Sequence, residues 1–166
     1  MEQRSQALQR FLGGYARLAR LPAPQPTVFE LAPLCQRVAA LAEGEVVLEI
    51  EPGLRLHADA DQLEQVLINL LRNAREAGGA APVRLHAQAE AGQGLVQVID
   101  AGSGLPASDN LFVPFFTTKA GGSGIGLVLS RQIVEAQGGS LTLAARVPGP
   151  GTLAEIRLPL HVGADR

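Results

Sequence analysis

The sequence is poor in the residue types on which several common functions depend. It has a single cysteine, Cys35, so neither a disulfide nor a cysteine-based zinc site can form within one chain. It has no tryptophan and only 4% aromatic residues, too few for the stacking platforms that bind bases. Charged residues make up 18% and the formal net charge is −2, which argues against nucleic-acid binding by a basic face. No apolar run approaches the roughly 18 residues of a membrane span, and the N-terminus lacks the apolar centre of a signal peptide.

Apolar residues are plentiful by contrast. Of the 166 residues, 46% are hydrophobic, enough for the core of one domain with a short appendage. Apolar positions recur at helical spacing over Gln3–Arg20, and three prolines follow within Pro22–Pro26. No helix continues through such a stretch, which predicts an extended linker. We therefore expect a helix and linker over 1–26, a globular domain over 27–162 and a tail over 163–166.

Within the globular part, the periodicity of apolar residues predicts helices interspersed with short strands. In chain order we expect a helix over 29–44, strands over 45–51 and 55–59, a helix over 59–77, strands over 82–91 and 94–102, a long loop over 101–123, a helix over 124–139, and strands over 140–147 and 152–160. Most of these strands follow one another as adjacent antiparallel pairs. The order favours an α+β fold, a two-layer sandwich, over a doubly wound parallel sheet.

Two asparagines lie one turn apart in the strongest predicted helix. Asn69 and Asn73 are an i, i+4 pair within the leucine-rich "LINLLRNAREAG" and therefore share a helix face. Asparagine is a mediocre helix former, so its presence here asks for another reason. Its amide oxygen suits a magnesium ion whose other ligands are waters and nucleotide phosphates. A solvated polar face is the alternative interpretation.

An aspartate ends the predicted strand in "VQVIDAGSGLP". Asp100 is followed by Gly102 and Gly104, which allow a ligand to approach the backbone closely. The carboxylate there can accept a hydrogen bond, for example from the exocyclic amino group of adenine; an Asx turn is the alternative. The loose G-x-G-x-x-A match that begins at Gly102 is not a dinucleotide fingerprint, because Pro106 interrupts it and no crossover helix follows at once.

Glycines are concentrated in "AGGSGIGL", Ala120–Leu127, just before and within a predicted helix. Backbone N–H groups in such a stretch can turn toward an anion, and the helix N-terminus favours negative charge. The motif is not a Walker loop, because Lys119 precedes the glycines. With two preceding threonines the stretch could still form a phosphate cradle; a flexible surface loop is the alternative.

Four stretches of the sequence, in this order, resemble the motifs of the ATP-binding catalytic domain of bacterial sensor histidine kinases. They are "NLLRNA", "DAGSGLP", "FVPFFTTK" and "GGSGIGLVLSRQIVEAQGG". The resemblance covers about Glu30 to Leu160, and "PFFTTK" is similar to the nitrogen- and oxygen-regulatory subgroup. It implies the Bergerat fold of the superfamily that includes gyrase, Hsp90 and MutL: a two-layer α/β sandwich with a mixed, mostly antiparallel sheet covered on one face by helices. It also implies ATP and magnesium as ligands.

The resemblance implies a role for individual residues. Asn73 would coordinate magnesium, Asn69 would lie in the same ATP site, and Asp100 would read the adenine amino group. The remaining implied ATP-binding residues shape the pocket or lie beside the phosphates: Gly102, Gly104, Lys119, Gly122, Gly124, Gly126 and Leu127. The aromatic residues implied to pack the lid are Phe112, Phe115 and Phe116.

Two departures within the helix bear on the chemistry. The related hydrolytic ATPases place Glu one turn before the magnesium asparagine, as the base that activates water; this chain has Asn69, which cannot accept that proton. The resemblance therefore implies that ATP is held intact for phosphoryl transfer. Many of the kinases carry Lys where this chain has Glu76, so Arg72 or Arg75 is the candidate for a phosphate contact from this helix.

The resemblance also implies partners that the sequence does not contain. His57, His86 and His161 lie in predicted strands or the tail, so we expect the phosphoacceptor His outside this chain and no autophosphorylation by it. Residues 1–26 resemble the end of a dimerisation hairpin, which implies a homodimeric parent kinase, membrane-anchored or not, with its catalytic part in the cytoplasm and a response regulator as next partner. We expect no contact of this part with nucleic acid or membrane.

Two other functions remain open from the sequence. One is a nucleotide-binding module without kinase output. The other is a hydrolytic ATPase, or a serine kinase of the anti-sigma type, in the same superfamily. The intact glycine motifs and Asn73 argue against the first, and Asn69 with "FFTTK" argues against the second.

Overall fold

The computed structural model describes residues 22–78, 81–102, 126–146 and 150–160. The helices in these ranges are α1 (Leu31–Leu41), α2 (Ala60–Gly78) and α3 (Gly126–Ala136). The strands there are β1 (Thr27–Glu30), β2 (Val46–Ile50), β3 (Arg55–Ala58), β4 (Val83–Glu90), β5 (Gln93–Ile99), β6 (Ser140–Ala145) and β7 (Thr152–Pro159). The helix predicted over Gln3–Arg20, most of the predicted 101–123 loop and the tail lie outside the described residues.

Five strands form one sheet in the order β2-β4-β5-β7-β6. β2 runs parallel to β4, and the other neighbours are antiparallel. Because successive side chains of a strand point to opposite faces, one face is apolar and joins the core beneath the helices; its buried residues include Leu85, Val96, Leu141 and Ile156. The predicted fold class, a two-layer sandwich with a mixed, mostly antiparallel sheet, is confirmed.

The other face of the sheet is polar and carries cross-strand ion pairs. Arg84 on β4 contacts Glu49 on β2 at 2.7 Å, and Arg157 on β7 contacts Glu90 on β4 at 3.3 Å. The hydrogen bond from Arg84 lowers the pKa of the Glu49 carboxyl. These side chains are largely exposed, so the ion pairs keep the face soluble more than they stabilise the fold.

β2 and β3 are an exception to the adjacent antiparallel pairs that the strand order favours. The two strands flank the turn at Pro52–Gly53 but do not pair with each other: β2 lies parallel to β4, and β3 pairs antiparallel with β1. A parallel pair needs a crossover connection, which α2 supplies. The predicted helix start at Phe29 is also wrong, because Thr27–Glu30 is extended against β3 and α1 begins at Leu31.

The N-terminus of α2 is capped by Asp59. The Gln62 N–H donates to Asp59 Oδ1 at 3.1 Å, and the Leu63 N–H donates to the Asp59 carbonyl at 2.9 Å. Aspartate is favoured at this position because its oxygen accepts from an N–H that has no partner within the helix, and its charge complements the helix dipole. The predicted helix start at Asp59 is therefore correct to one residue.

Gln137, at the end of α3, joins that cap to the other helix. The Asp59 N–H donates to Gln137 Oε1 at 2.8 Å, and Gln137 Nε2 donates to Gln62 Oε1 at 3.0 Å. The proline-rich segment is held at the same place: the Gln25 N–H donates to Asp59 Oδ2 at 2.8 Å, and Gln62 Nε2 donates to the Pro22 carbonyl at 3.1 Å. The start of α2, the end of α3 and the predicted linker thus share one hydrogen-bonded cluster.

The glycine pair after α3 ends the helix as predicted. Gly138 has φ of +82°, a conformation that favours glycine. The Gly138 N–H donates to the Glu135 carbonyl at 3.1 Å and the Gly139 N–H donates to the Val134 carbonyl at 3.0 Å. This is the Schellman arrangement, which satisfies carbonyls left without helical partners.

None of the helices in the described ranges combines the length and the apolar composition that a membrane span requires.

We predict that Asp59→Ala lowers the free energy of unfolding by about 1 kcal/mol, because an N-cap is lost. Chemical denaturation followed by circular dichroism measures the change. Asp61→Ala is the matched control, since Asp61 is an exposed acid in the first turn of the same helix and receives no hydrogen bond from the described residues. Equal losses in the two variants would mean that only charge near the helix end matters.

Burial of Cys35 sets a second expectation. The thiol lies in the core and is fully buried, and desolvation raises its pKa to about 12. A raised pKa means that this group stabilises the folded state below the ordinary thiol pKa, and that its contribution is lost as pH rises toward 12. We predict no labelling of the native chain by a thiolate-specific reagent at pH 8 and full labelling after unfolding; rapid native labelling would contradict the buried position.

Candidate functional site

Asn69 lies on α2 at the contact with α3. Its side chain is nearly buried, with the residue 9% exposed, and Nδ2 donates to the Ser130 Oγ on α3 at 3.4 Å. Ser130 is completely buried. The first asparagine of the pair is therefore part of a helix–helix contact and does not belong to a solvated face.

Asn73 follows one turn later on α2 and is half-buried. An Asn side chain there offers a neutral oxygen that is a hard donor, the type that magnesium takes alongside waters and phosphates. Within the described ranges there is no cluster of three or more His, Cys, Asp or Glu that could hold a metal ion. The donors present therefore fit a cation that arrives with oxygen ligands of its own, and they do not fit an all-protein metal cage.

Asp100 stands directly after β5 and is 6% exposed. Its Oδ1 accepts from the Gly102 N–H at 2.9 Å and from the Thr152 N–H at 3.2 Å. The Gly102 bond is the Asx turn that the sequence left open as an alternative, and the Thr152 bond ties the side chain to β7. The Asp100 N–H in turn donates to the Thr152 carbonyl at 3.0 Å. The carboxylate is thus fixed in place by backbone groups of the segment after β5 and of β7.

The second carboxylate oxygen of Asp100 is in a different situation. Oδ2 receives no hydrogen bond from the described residues. Among those residues, every polar side-chain atom that is fully buried has a hydrogen-bond partner. Oδ2 therefore reaches the accessible surface of an otherwise buried residue. A fixed carboxylate with one oxygen satisfied and the other available can accept a hydrogen bond from a ligand.

Gly151 allows this arrangement. It has φ of +128°, and a Cβ built on it would collide with the Asp100 carbonyl oxygen. Glycine is thus needed where the turn before β7 approaches Asp100. The sequence stretch "PGPG" predicts a turn, but it does not show that the turn supports the aspartate.

The glycine-rich motif enters the described structure at the start of α3. Gly126 is the first residue of the helix, and Leu127 after it is half-buried against the core. No described atom lies within 4 Å of a Cβ built on Gly126, so packing among the described residues does not require glycine there. The predicted site residues outside the described ranges are Gly104, Lys119, Gly122 and Gly124, and so are Phe112, Phe115 and Phe116; their roles stay predictions.

Arg75 is engaged by backbone carbonyls of neighbouring segments. Its guanidinium donates to the carbonyls of Glu43, Glu45 and Ala81, each at 2.9 Å, and so holds the loop between α1 and β2 against the start of β4. These three bonds argue against Arg75 as the phosphate contact, which stays a prediction. Arg72 is exposed on the same helix and stays the other predicted candidate, although it lines the groove between α1 and α2 and not the side of Asn69.

A groove of about 370 Å³ lies between α1 and α2. It is lined by Val38, Leu41, Ala42, Glu43, Ile68, Leu71, Arg72, Arg75 and Glu76. Neither Asn69 nor Asn73 is among the residues that line it. Asn69 points to α3, on the other side of α2. The groove and the predicted ligand site are therefore separate features of one helix.

Two residues that hold predicted site residues in place were not identified from the sequence. Ser130 contacts Asn69, and Thr152 binds Asp100 through both backbone groups. Ser130 is a polar residue on the buried face of α3. The sequence "GLVLSRQIV" shows this serine among apolar residues at helical spacing. The role of Thr152 depends on the pairing of β5 with β7. Thr152 lies 52 residues after Asp100, so no local sequence pattern indicates their contact.

Comparison with known proteins gives a consistent result. Residues 58–162 match the family described as histidine kinase-, DNA gyrase B-, and HSP90-like ATPases. The sensor histidine kinase ZraS of Klebsiella oxytoca is 42% identical over 116 residues, which cover 67% of this chain and 25% of that protein. The chain spans about a quarter of the length of the curated relatives it matches.

Solved structures of histidine kinases share the fold. The nucleotide-free catalytic domain of ThkA has a TM-score of 0.73 at 31% identity, over 81% of this chain and 95% of that one. Full-length ShkA in complex with AMPPNP has a TM-score of 0.77 at 24% identity, over 95% of this chain and 36% of that one. ThkA in complex with the response regulator TrrA has a TM-score of 0.77 at 24% identity, over 95% and 48%.

The chain therefore belongs to the histidine kinase-, DNA gyrase B- and HSP90-like ATPase family and is homologous to the catalytic domains of sensor histidine kinases.

Proposed function

We propose that the chain binds ATP with magnesium and donates the γ-phosphoryl group to a histidine of a sensor kinase's phosphoacceptor hairpin. The observation that carries the proposal is the state of Asp100. Its carboxylate is buried and fixed through Oδ1 by two backbone N–H groups, and its Oδ2 receives no hydrogen bond from the residues that the structure describes. In a member of this ATPase family, adenine is the ligand that such an acceptor suits.

The proposed recognition of adenine follows from hydrogen-bond complementarity. The exocyclic amino group of adenine donates an N–H, which the Oδ2 of Asp100 can accept. Guanine carries a carbonyl oxygen at the same ring position and would bring two acceptors together. A site built to bind a donor rejects an analogue without it, because its buried polar group would lose its partner. We therefore propose ATP over GTP.

Magnesium is proposed to bind through Asn73, with Asn69 in the same site. Both side chains offer neutral amide oxygens, and the phosphates of the nucleotide would supply further oxygen ligands. When bound, the ion would neutralise charge on the phosphates. The part of this chain is to hold the nucleotide and its phosphates in one orientation, which is most of what phosphoryl transfer needs.

Transfer, and not hydrolysis, is supported by the chemistry of Asn69. A hydrolytic site needs a base that accepts a proton from water near the γ-phosphate. The amide of Asn69 has no basic group at neutral pH, and its Nδ2 already donates to Ser130. The nucleotide would therefore persist until an acceptor side chain arrives.

The acceptor and the later partners are proposed from the family. His57 and His86 lie on β3 and β4, which are strands and not helices of a hairpin. We propose that residues 1–26 are the end of the dimerisation hairpin that makes the parent protein a homodimer, and that the acceptor His, the rest of the hairpin and the response regulator receiver domain lie outside this chain. ThkA, a protein of the same fold, has been crystallised with a response regulator. The reaction is proposed to take place in the cytoplasm.

Calorimetric titration with a non-hydrolysable ATP analogue, with magnesium and with EDTA, tests the proposal. Binding below the millimolar range that is strengthened by magnesium is expected. Absence of binding would favour a module without kinase function. In a separate assay with ATP itself, steady multiple-turnover hydrolysis would favour a hydrolytic ATPase. Transfer of labelled γ-phosphate to a histidine-bearing hairpin supplied as a separate polypeptide is the expected catalytic result.

We predict that Asn73→Ala removes most of the magnesium-dependent part of the affinity, because an oxygen ligand is lost. The ratio of the dissociation constants in EDTA and in magnesium should fall roughly tenfold, which corresponds to one charge-assisted interaction. Gln65→Ala is the control, since Gln65 is an exposed residue two turns earlier on α2. An unchanged ratio in Asn73→Ala would remove this residue from the metal site.

For Asp100, the sharpest variant is Asp100→Asn. It keeps an oxygen for the two backbone N–H groups but replaces the open acceptor by a donor. We predict that ATP affinity falls at least roughly tenfold, while the melting temperature changes little, because a hydrogen bond to a charged group is lost. The preference for ATP over GTP should fall as well, since the new amide can donate to guanine. Unchanged ATP affinity would contradict the proposed reading of adenine.

A further inference from the structure

Buried polar residues are rare in the described part of the chain. Asn69, Asp100 and Ser130 are the three polar residues buried there. The first two are predicted nucleotide ligands. Ser130 belongs to none of the predicted ligand sets, yet it is the most buried of the three, with no exposed surface. A hydroxyl in such a place costs free energy unless it is hydrogen-bonded, so its presence asks for an explanation.

Ser130 lies where the two ligand-bearing helices cross. It is four residues after Gly126, hence one turn into α3, and its Oγ accepts from Asn69 Nδ2 on α2. The contact thus connects the asparagine pair with the helix that follows the glycine-rich motif. Its immediate neighbours on the buried face of α3, Leu129, Ile133 and Val134, are apolar and offer Asn69 no acceptor.

The bond restrains the side chain of Asn69. An Asn side chain carries donors on Nδ2 and an acceptor on Oδ1, and the amide can turn by 180° about its last torsion. A serine hydroxyl both donates and accepts, so the Ser130 Oγ can bond either end of this amide. In either case the bond keeps the Asn69 side chain in one position against α3, and no buried neighbour described on α3 would hold it there without the serine oxygen.

We propose that Ser130 is a positioning residue for the nucleotide site. Its hydroxyl holds the side chain of Asn69 in the position from which the amide faces the bound magnesium nucleotide. Ser130 itself touches neither ion nor nucleotide. This inference rests on the proposed function, because it assigns the position of a residue in that same site.

A purely structural role for Ser130 makes different predictions. A small residue at a helix crossing can serve only to let two helices approach. In that case Ser130→Ala would be harmless or would weaken all binding through loss of stability. A positioning role requires instead that the effect of Ser130→Ala pass through Asn69.

A double-mutant cycle separates the two roles. Calorimetry would measure the affinity of a non-hydrolysable ATP analogue, with magnesium and with EDTA, for wild type, Ser130→Ala, Asn69→Ala and the double variant. We expect Ser130→Ala to weaken magnesium-dependent binding about fivefold, the usual worth of one neutral hydrogen bond. In the Asn69→Ala background the same change should have no effect. An equal loss in both backgrounds would overturn the proposal.

Two further variants serve as controls. Ser130→Thr keeps the hydroxyl and should restore much of the magnesium-dependent affinity. Val134→Ala removes buried apolar volume one turn later on α3, so it should lower the melting temperature and leave that affinity unchanged. If Val134→Ala reproduced the effect of Ser130→Ala, helix packing and not the hydrogen bond would be responsible.

A readout without nucleotide distinguishes failure of this inference from failure of the proposed function. In proton–nitrogen spectra of the free chain, the side-chain amide of Asn69 should show slowed exchange that Ser130→Ala abolishes and Val134→Ala retains. Wild type that shows this signature but binds no nucleotide would overturn the proposed function, and the positioning role with it. Wild type that binds nucleotide equally well after Ser130→Ala would overturn the positioning role alone.

Discussion

The packing of α2 against α3 is the interaction on which the rest of the structure depends. Both helices bury apolar stripes in the common core, but polar bonds fix how they meet. Ser130 accepts from Asn69 near the start of α3, and Gln137 at its end bonds to the cap of α2. Apolar packing tolerates small shifts, whereas hydrogen bonds at two separated points do not. The two helices that carry the predicted ligand residues are therefore held in one relative position.

The sheet contributes the third fixed group. Asp100 follows β5, a strand against which α2 packs, and it is tied to β7 by the backbone of Thr152. Gly151 lets β7 begin close enough for that bond. The cost of burying a carboxylate is offset by the two N–H groups at Oδ1. What remains is an acceptor whose position is set by backbone and not by a mobile side chain.

Much of this could be predicted from the sequence, and the failures have physical causes. The strong periodicity around Leu67 and the glycine pair after α3 are local signals, and they predict α2 and the end of α3 to within a few residues. The pairings of β1 with β3 and of β2 with β4 are not local, since α1 and β2 separate the first two strands and β3 and α2 separate the second two.

The candidate site shows the same division. Asn69, Asn73 and Asp100 follow from motifs, because each motif is contiguous. The residues that hold them, Ser130 and Thr152, come from other parts of the chain and are recognised only by contact. Arg75 shows the limit of an argument from charge alone: charge made it a candidate for a phosphate contact, whereas in the structure its guanidinium donates to three backbone carbonyls.

The central claim is that the ligand site lies on the α3 side of α2 and not in the groove between α1 and α2. Chemical-shift mapping during titration of the labelled chain with magnesium and ADP tests it most directly. The account predicts the largest changes at Asn69, Asn73, Asp100 and Gly126, with little change at Leu41 and Ile68 in the groove. Changes confined to the groove, with Asp100 unaffected, would contradict it.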